Sequence, residues 1–284
     1  MADGYLPDFL GVAVPLPAAP AAQPVRELAY THFTVLLDTG RTLAAATAVN
    51  IDGASLLDLG RGDDWHLDER VPADQQAGPE LYAGNDLDRG HLVRRRDPVW
   101  GDPAEAGRAN LDTFAYPNAA PQVATFNQSE QVWLGLEDHV LEHARAHRLR
   151  LSVLTGPVLL ADDPLYRGVQ IPRAFWKVAA WAETGTDADA STGTAPVLAA
   201  TAYVLDQSEQ LGAITLSAAG EDGVPALGPF RTYQVPVADV AALTGLDLGP
   251  LVDADRLVTA TASAQPGPRA RWRELRSPAD VQLG

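Results

Sequence analysis

The chain has 284 residues, enough to bury a sizeable core as one domain or two small ones. It carries 21 lysines and arginines against 37 aspartates and glutamates, and the net charge of -16 excludes a uniformly basic surface of the kind that holds polyanions. Cysteine is absent, which excludes disulfides and thiolate metal ligands. No stretch reaches the roughly 18 uncharged apolar residues of a membrane span, so we expect no membrane segment.

The N-terminal part predicts an extended arm followed by a β-hairpin. Residues 12–26 are rich in proline and alanine, which favours an extended surface arm, and we assign residues 1–27 to it. Two runs of β-forming residues follow, Tyr30–Leu37 and Leu43–Ile51. The turn-forming residues 38–41 lie between these runs and join them as a hairpin.

A polar, irregular segment follows the hairpin, from Asp52 to Ala83. It contains Arg61, Trp65, His66 and Asp68 among glycines and acids. His32, in the first β run, is expected to be a core or edge residue with its hydrogen bonds made rather than a catalytic one.

The second half predicts a helix and then more strands. Gln128–Leu149 has apolar residues at helical spacing. Three later runs are typical of strands: Leu149–Leu154, Phe175–Trp181 and Val197–Leu205. Thr184–Ala195 is small, polar and acidic, which indicates a loop, and Pro236–Leu243 predicts a short helix ending at Gly245.

The last residues form a basic tail around Trp272. Its arginines are Arg269, Arg271, Arg273 and Arg276. Arginines interleaved with an aromatic residue suit a nucleic-acid strand, but we expect a poorly ordered terminus. We therefore divide the chain into the arm, a single domain over residues 28–250 and a tail over residues 251–284.

The segment from Gly84 to Val93 contains the residues best suited to catalysis. Asp88, Arg89 and His91 stand within four residues, and Gly90 between them lets backbone or substrate come close. An imidazole takes up a proton near neutral pH, and an arginine supplies a fixed positive charge. This combination suits phosphodiester chemistry.

Asp-Arg-Gly-His resembles the signature of the DNA/RNA non-specific endonucleases of the ββα-metal class. A second block matches that family in the same order: residues 116–122, Phe126-Asn127-Gln128 and residues 133–138. The resemblance covers about residues 28 to 210. It implies an α+β, ββα-metal (His-Me finger) fold in which helices flank a central antiparallel β-sheet.

The resemblance also implies a Mg²⁺-dependent endonuclease that cuts both DNA and RNA by attack of water, leaving 5′-phosphate ends. His91 would be the general base. Asn127 would be the direct ligand of one Mg²⁺, which Mn²⁺ or another divalent cation could replace. Because Mg²⁺ keeps several of its waters, one protein ligand together with the substrate phosphate suffices, and Glu137 would hydrogen-bond those waters.

Other residues would act on the phosphate. By resemblance, Arg89 would contact it and Asp88 would support Arg89 without touching substrate. Asn118 would position either the phosphate or His91. Further arginines are candidates for substrate contacts: Arg61, Arg94, Arg95 and Arg96. A basic cleft of this kind can exist in an acidic body, whose overall charge otherwise serves solubility.

The position of Glu137 departs from the family pattern. The glutamate usually follows the metal-binding asparagine by about eight residues, whereas Glu137 follows Asn127 by ten. At about 100° per residue this difference rotates the side chain by about 200° around a helix. Either Ser129-Glu130 is a local insertion before the helix begins, or Glu130 replaces Glu137.

Two alternatives stay open. His139, His143 and His147 are spaced as in a zinc hydrolase, but three ligands on one straight helix are badly placed for a tetrahedral site. The chain could also be a catalytically inert nucleic-acid-binding or scaffold protein of the same fold.

The partners implied by the resemblance are DNA and RNA, with no membrane, and a homodimer is compatible with the family. No export signal is visible in the sequence. A nuclease that stayed in the cytoplasm would endanger its host's own DNA. We therefore expect export by a non-standard route or a protein inhibitor.

Overall fold

A computed structural model describes residues 4–60, 62–123, 141–142, 144–183, 195–209, 211, 231–257, 271–276 and 280–281. Among these residues, eight strands form one antiparallel sheet in the order β1-β2-β3-β6-β9-β10-β11-β12. Its strands are β1 Val25–Tyr30, β2 Phe33–Asp38, β3 Leu43–Asp52, β6 Arg150–Val158, β9 Ala174–Glu183, β10 Val197–Asp206, β11 Arg231–Val235 and β12 Arg273–Leu275. The sheet with its flanking helices confirms the predicted α+β fold class.

Smaller elements lie beside this sheet. Two short antiparallel pairs join β4 Leu87–His91 to β5 Ala119–Val123 and β7 Leu165–Tyr166 to β8 Val169–Gln170. The helices with complete bounds are α1 Pro79–Tyr82, α2 Pro103–Asp112 and α3 Val237–Thr244. Three-residue 3-10 turns occur at Ala73–Gln75, Tyr116–Asn118 and Gly249–Leu251.

The central sheet is buried on both faces. Along β10, Tyr203 and Leu205 join one core cluster, whereas Ala202 and Val204 join the other. All four are at most 1% exposed. Burying a large apolar side chain stabilises a fold by roughly 1.5–3 kcal/mol, so both layers contribute. Because both faces are covered, the inner strands are continuous apolar runs in sequence.

The β-hairpin and the later strands are confirmed. β2 and β3 pair from Phe33 with Val49 to Asp38 with Leu43, with a register shift after Leu36. The predicted runs after residue 148 correspond to β6, β9 and β10. Residues 184–194 of the predicted loop lie outside the described residues.

The first hairpin strand begins later than predicted. Tyr30 ends β1, and the turn into β2 places His32 at a φ of 67°. His32 Nδ1 lies 2.8 Å from the carbonyl oxygen of Pro98, and the imidazole stacks on Trp100 at 3.5 Å between ring centroids. The expectation of a core histidine with its hydrogen bonds made is confirmed.

The N-terminal segment packs onto the sheet. Val14 is 0% exposed, and the Tyr5 hydroxyl donates a hydrogen bond to its carbonyl oxygen. The Leu6 amide donates to Asn50 Oδ1 at 2.7 Å. The prediction of a surface arm over residues 12–26 is wrong in this respect, because the apolar residues between the prolines join the core.

The predicted helices are confirmed where they are described. α3 ends at Gly245, whose φ of 71° is the left-handed conformation that glycine adopts without strain. Residues 141–147, apart from 143, are helical, and the earlier part of the predicted helix lies outside the described residues. No helix among the described residues is long and apolar enough to cross a membrane.

The basic tail is part of the sheet. β12 pairs antiparallel with β11, and the Trp272 indole N–H donates to Asp239 Oδ2 at 3.0 Å. Arg271 forms an ion pair with the same carboxylate. The prediction of a poorly ordered terminus is therefore wrong for residues 271–276, and Arg269 lies outside the described residues.

A buried ionic group ties the irregular segment to β1. Tyr30 donates its hydroxyl to Asp68 at 2.5 Å, and Arg70 donates to both oxygens of the same carboxylate. Burial of Asp68 favours its protonated form, but the hydrogen bonds from Arg70 and Tyr30 outweigh this effect. They hold the pKa of Asp68 below its usual value.

Candidate active site

The Asp-Arg-Gly-His motif lies on β4, which pairs antiparallel with β5. Arg89 is opposite Pro121 and His91 is opposite Ala119. Since side chains alternate along a strand, Arg89 and His91 belong to one face and Asp88 to the other. A fixed cation and a proton acceptor therefore stand side by side, about 7 Å apart along the strand.

Gly90 is required by close packing. A Cβ atom at this position would lie 2.1 Å from the side chain of Gln122 on β5. The sequence predicted a close approach of backbone or substrate, and the structure shows a neighbouring side chain instead. A larger residue at position 90 would have to displace the buried Gln122 side chain.

Two aromatic rings pack against His91. The Trp65 ring lies 4.7 Å from the imidazole, centroid to centroid, and Phe114 lies 5.1 Å away at a near-perpendicular angle of 84°. The Arg89 guanidinium carbon also lies over the Trp65 ring, 5.3 Å from its centroid. Trp65 thus contacts both of the motif's functional side chains, a role that its sequence position among glycines and acids did not indicate.

The loop that carries Trp65 is fixed to the segment before β5. The His66 amide donates to the Phe114 carbonyl oxygen at 3.1 Å, and the Tyr116 amide donates to the His66 carbonyl oxygen at 2.9 Å. These two hydrogen bonds form an isolated parallel bridge between His66 and Ala115. The aromatic residues around His91 are therefore held by backbone pairing as well as by packing.

Asn118 holds the chain that follows His91. Its side chain is 0% exposed, its Oδ1 accepts from the Val93 amide at 2.8 Å, and its Nδ2 donates to the carbonyl oxygens of Val93 and Thr113, both at 2.9 Å. Of the two predicted roles, the buried side chain with its backbone partners favours positioning over direct contact with the phosphate. Its hydrogen bonds fit the positioning of the His91 segment.

The arginines after His91 have partners within the protein. Arg95 donates to the Leu59 carbonyl oxygen at 2.9 Å and to Asn110 Oδ1 at 3.2 Å. Arg96 forms ion pairs with Asp58 at 3.3 Å and Glu142 at 3.1 Å. A phosphate would have to compete with these groups. Arg94 is half-buried beside them.

Asp58 joins the loop before the motif to the helical segment 141–147. Arg145 and then Arg96 hydrogen-bond the Asp58 carboxylate and hold its pKa below the usual range. The ion partner of Arg89, by contrast, is Asp63, whose exposed carboxylate lies 3.8 Å away. Arg61, the remaining predicted contact, lies outside the described residues.

Gln207 fastens the β4–β5 pair to the central sheet. Its Oε1 accepts from the Val123 amide at 3.1 Å, and its Nε2 donates to the Pro121 carbonyl oxygen at 3.3 Å. One side chain thus bonds the outer edge of β5 as a neighbouring strand would. Nε2 also donates to the Pro172 carbonyl oxygen at 2.7 Å, and Gln207 is 0% exposed.

Comparison with known proteins identifies the family. The family model for DNA/RNA non-specific endonucleases matches residues 17–255. The chain belongs to this family.

Several relatives of this endonuclease-family chain are known. It is 37% identical over 301 residues to a Sinorhizobium fredii protein named "Uncharacterized protein y4fB", covering 99% of this chain and 42% of that protein. Mitochondrial endonuclease G from Bos taurus is 33% identical and that from Homo sapiens 32%, each over 127 residues that cover 40% of both chains. The chain therefore spans about two fifths of the length of these relatives.

A solved structure shares the fold of this family member. It is described as the crystal structure of the EndoG/EndoGI complex and as the mechanism of EndoG inhibition. The match has a TM-score of 0.54 at 20% identity and covers 80% of this chain and 86% of that one. It confirms the predicted ββα-metal nuclease fold.

Metal ligands in this family member are not found among the residues that the structure describes. There, no three histidine, cysteine, aspartate or glutamate side chains converge as a metal site. The predicted ligand residues Asn127, Glu137, Glu130, His139 and His143 lie outside the described residues, and His147 is exposed. The described donors therefore do not make a metal centre by themselves, and the single-asparagine site stays a prediction.

Proposed function

We propose that the chain is a Mg²⁺-dependent endonuclease that hydrolyses phosphodiester bonds of both DNA and RNA and leaves 5′-phosphate ends. The observation that carries the proposal is the placement of Arg89 and His91 on one face of β4, with Trp65 against both, in a member of the endonuclease family. Since the proposed nucleophile is water, the 2′-hydroxyl is not needed. Both kinds of nucleic acid should therefore be cut.

His91 is the proposed general base and Arg89 the proposed phosphate contact. The imidazole accepts a proton from the attacking water, and the guanidinium stabilises the charge that develops on the phosphate oxygens. Asp88, on the opposite face of β4, is proposed to support the site without touching substrate. Asn118 keeps His91 in place through its hydrogen bonds to Val93.

Asn127 is the proposed Mg²⁺ ligand, with Glu137 or Glu130 holding the waters of the ion. When bound, the ion would neutralise charge at the phosphate and the leaving oxygen. A hydrated Mg²⁺ needs few protein ligands, so one asparagine together with the substrate phosphate suffices. Mn²⁺ or another divalent cation is proposed to substitute for it.

Arg94, Arg95, Arg96 and Arg61 are the proposed additional substrate contacts. For Arg95 and Arg96 this role requires exchange of their protein partners for phosphate. The ion partner of Arg89, Asp63, is exposed and lies 3.8 Å away, so Arg89 is a better candidate than these two.

A protein inhibitor is proposed as a partner. The solved structure that shares the fold is itself a complex described as explaining EndoG inhibition. A homodimer and export by a non-standard route are further proposals that rest on the sequence alone.

The test is cleavage of supercoiled plasmid and of a structured RNA, with Mg²⁺ and with EDTA. His91→Ala should reduce cleavage of both substrates by at least about 10² to 10⁴-fold, because it removes the base, while substrate binding persists. Cleavage should also fall in acid, since a protonated imidazole cannot accept the proton of water. Plasmid band shifts without nicking by the wild-type protein would instead show the inert alternative.

His143→Ala is the matched control for the zinc alternative. It removes a histidine of the predicted helix and should leave cleavage within about twofold of wild type. A zinc requirement that disappears with this variant, together with near wild-type nicking by His91→Ala, would assign the chemistry to His139, His143 and His147.

A further inference from the structure

Trp65 contacts both proposed functional side chains of β4, and what we infer from these contacts rests on the proposed function. Its ring lies 4.7 Å from the His91 ring and 5.3 Å from the Arg89 guanidinium carbon. We propose that Trp65 is a positioning residue that holds the proposed general base and the proposed phosphate contact in a fixed relation on one face of β4.

The Trp65 ring is itself held firmly. It lies edge-on to Phe114 at 5.4 Å and 80°, and beside Tyr116 at 5.8 Å. These two neighbours are 1% and 5% exposed, whereas Trp65 is half-buried. One part of the indole is thus anchored in the core, and the ring reaches from there to both functional side chains.

Two partners compete for the guanidinium group of Arg89. Its guanidinium lies over the Trp65 ring, and the exposed carboxylate of Asp63 lies 3.8 Å from its Nη2. An indole face is the strongest aromatic partner for a guanidinium. Without the indole, the flexible arginine side chain turns towards Asp63, which occupies it as a phosphate would.

His91 depends on the same ring. The imidazole packs against both Trp65 and Phe114, and these two rings also contact each other, so the three rings form one cluster. Removing the indole takes away one of the two rings that the imidazole packs against, so that the imidazole gains rotational freedom and contact with water. A misplacement of about 1 Å costs catalysis on the order of 10²-fold.

The contrast between leucine and phenylalanine separates positioning from packing. Trp65→Phe keeps an aromatic face for Arg89 and His91, whereas Trp65→Leu fills part of the same apolar space without one. We expect Trp65→Leu to lower kcat by about 10- to 100-fold because His91 is misplaced, and to raise KM because Asp63 then occupies Arg89. Trp65→Phe should stay within about threefold of wild type.

Trp100 supplies the matched control. It also packs its ring on a histidine, stacked on His32 at 3.5 Å, and that histidine has no proposed catalytic role. Trp100→Leu and Trp100→Phe should alter the midpoint of thermal unfolding and leave kcat unchanged. If Trp65→Leu does not fold, Trp65→Met, which is longer and unbranched, takes its place.

A second readout needs no nuclease activity. Diethyl pyrocarbonate modifies accessible imidazoles, and the rate at His91 can be followed by mass spectrometry. We expect faster modification of His91 in Trp65→Leu than in Trp65→Phe or wild type. If the wild-type protein cuts neither DNA nor RNA, the proposed function fails, and this rate alone decides whether Trp65 positions His91. Equal kcat and equal modification rates in the two Trp65 variants would overturn the inference.

Discussion

Asn118 offers the sharpest test of a structural role at the site. Its carboxamide makes three buried hydrogen bonds, one from the Val93 amide and two to the carbonyl oxygens of Val93 and Thr113. Asn118→Leu has a similar volume but leaves all three backbone groups without these partners and leaves little room for water. At about 1–2 kcal/mol for each of the three buried groups, the free energy of unfolding should fall by about 3–6 kcal/mol. Such a loss is large for a domain with a total stability of about 5–15 kcal/mol.

Urea unfolding measures this loss through the midpoint, with an unchanged slope showing that the folded state is otherwise intact. Asn110→Leu is the control, because Asn110 is also buried and accepts from Arg95 at 3.2 Å, and it should lose about 1 kcal/mol. Cleavage per folded molecule should fall modestly in Asn118→Leu, since the chain after His91 is less well held. A variant of wild-type stability that no longer cleaved would refute this reasoning and return Asn118 to a direct role in the chemistry.

Four other outcomes are expected. Asn127→Ala should raise the Mg²⁺ concentration needed for half-maximal cleavage, and an unchanged requirement in a Mg²⁺ titration would remove Asn127 as the ligand. Gln207→Met should lower the free energy of unfolding by about 2–4 kcal/mol, because it strands three backbone groups that Gln207 bonds, and a wild-type urea midpoint would contradict this. The pKa of Asp68 is lowered in the folded state, so its stabilisation is present above the unfolded value of 3.8 and is lost as pH falls from there through the lower folded value; Asp68→Asn should flatten that part of a stability-pH curve. Arg89→Ala should weaken oligonucleotide binding and reduce the slope of log affinity against log salt by about one, and an unchanged slope would show that Arg89 does not meet a phosphate.

The elements that could be predicted are those with a recognisable pattern in their own stretch of sequence. The β2–β3 hairpin, β6, β9 and β10 are buried on both faces, so each is a continuous apolar run, and α3 has glycine at its end. The edge strands lacked such a signal. β12 has three residues, Arg-Glu-Leu, and is held by pairing with β11 rather than by its own propensity.

The same distinction applies to the candidate site. Arg89 and His91 stand out because the motif is contiguous and strand alternation places both on one face. The contacts that support them join distant parts of the chain: Gln207 reaches Val123 across 84 residues. Trp65 meets His91 only because backbone bonds bring its loop to Phe114. Periodicity reports neighbours along the chain, so neither residue could be assigned a role from the sequence.

Several arginines form ion pairs with the acidic residues of the chain. Arg41 is paired with Asp163, Arg145 with Asp58, and Arg173 with Asp163. Their charges are neutralised within the protein, and the net charge of -16 repels polyanions at a distance. The proposed attraction for nucleic acid must therefore arise at short range, from the proposed phosphate contact Arg89 and from the proposed divalent cation when it is bound. Such a site contacts few phosphates at once, so we expect a shallow dependence of cleavage on salt. The acidic surface around it binds nucleic acid weakly, so we also expect fast release of the cleaved strands.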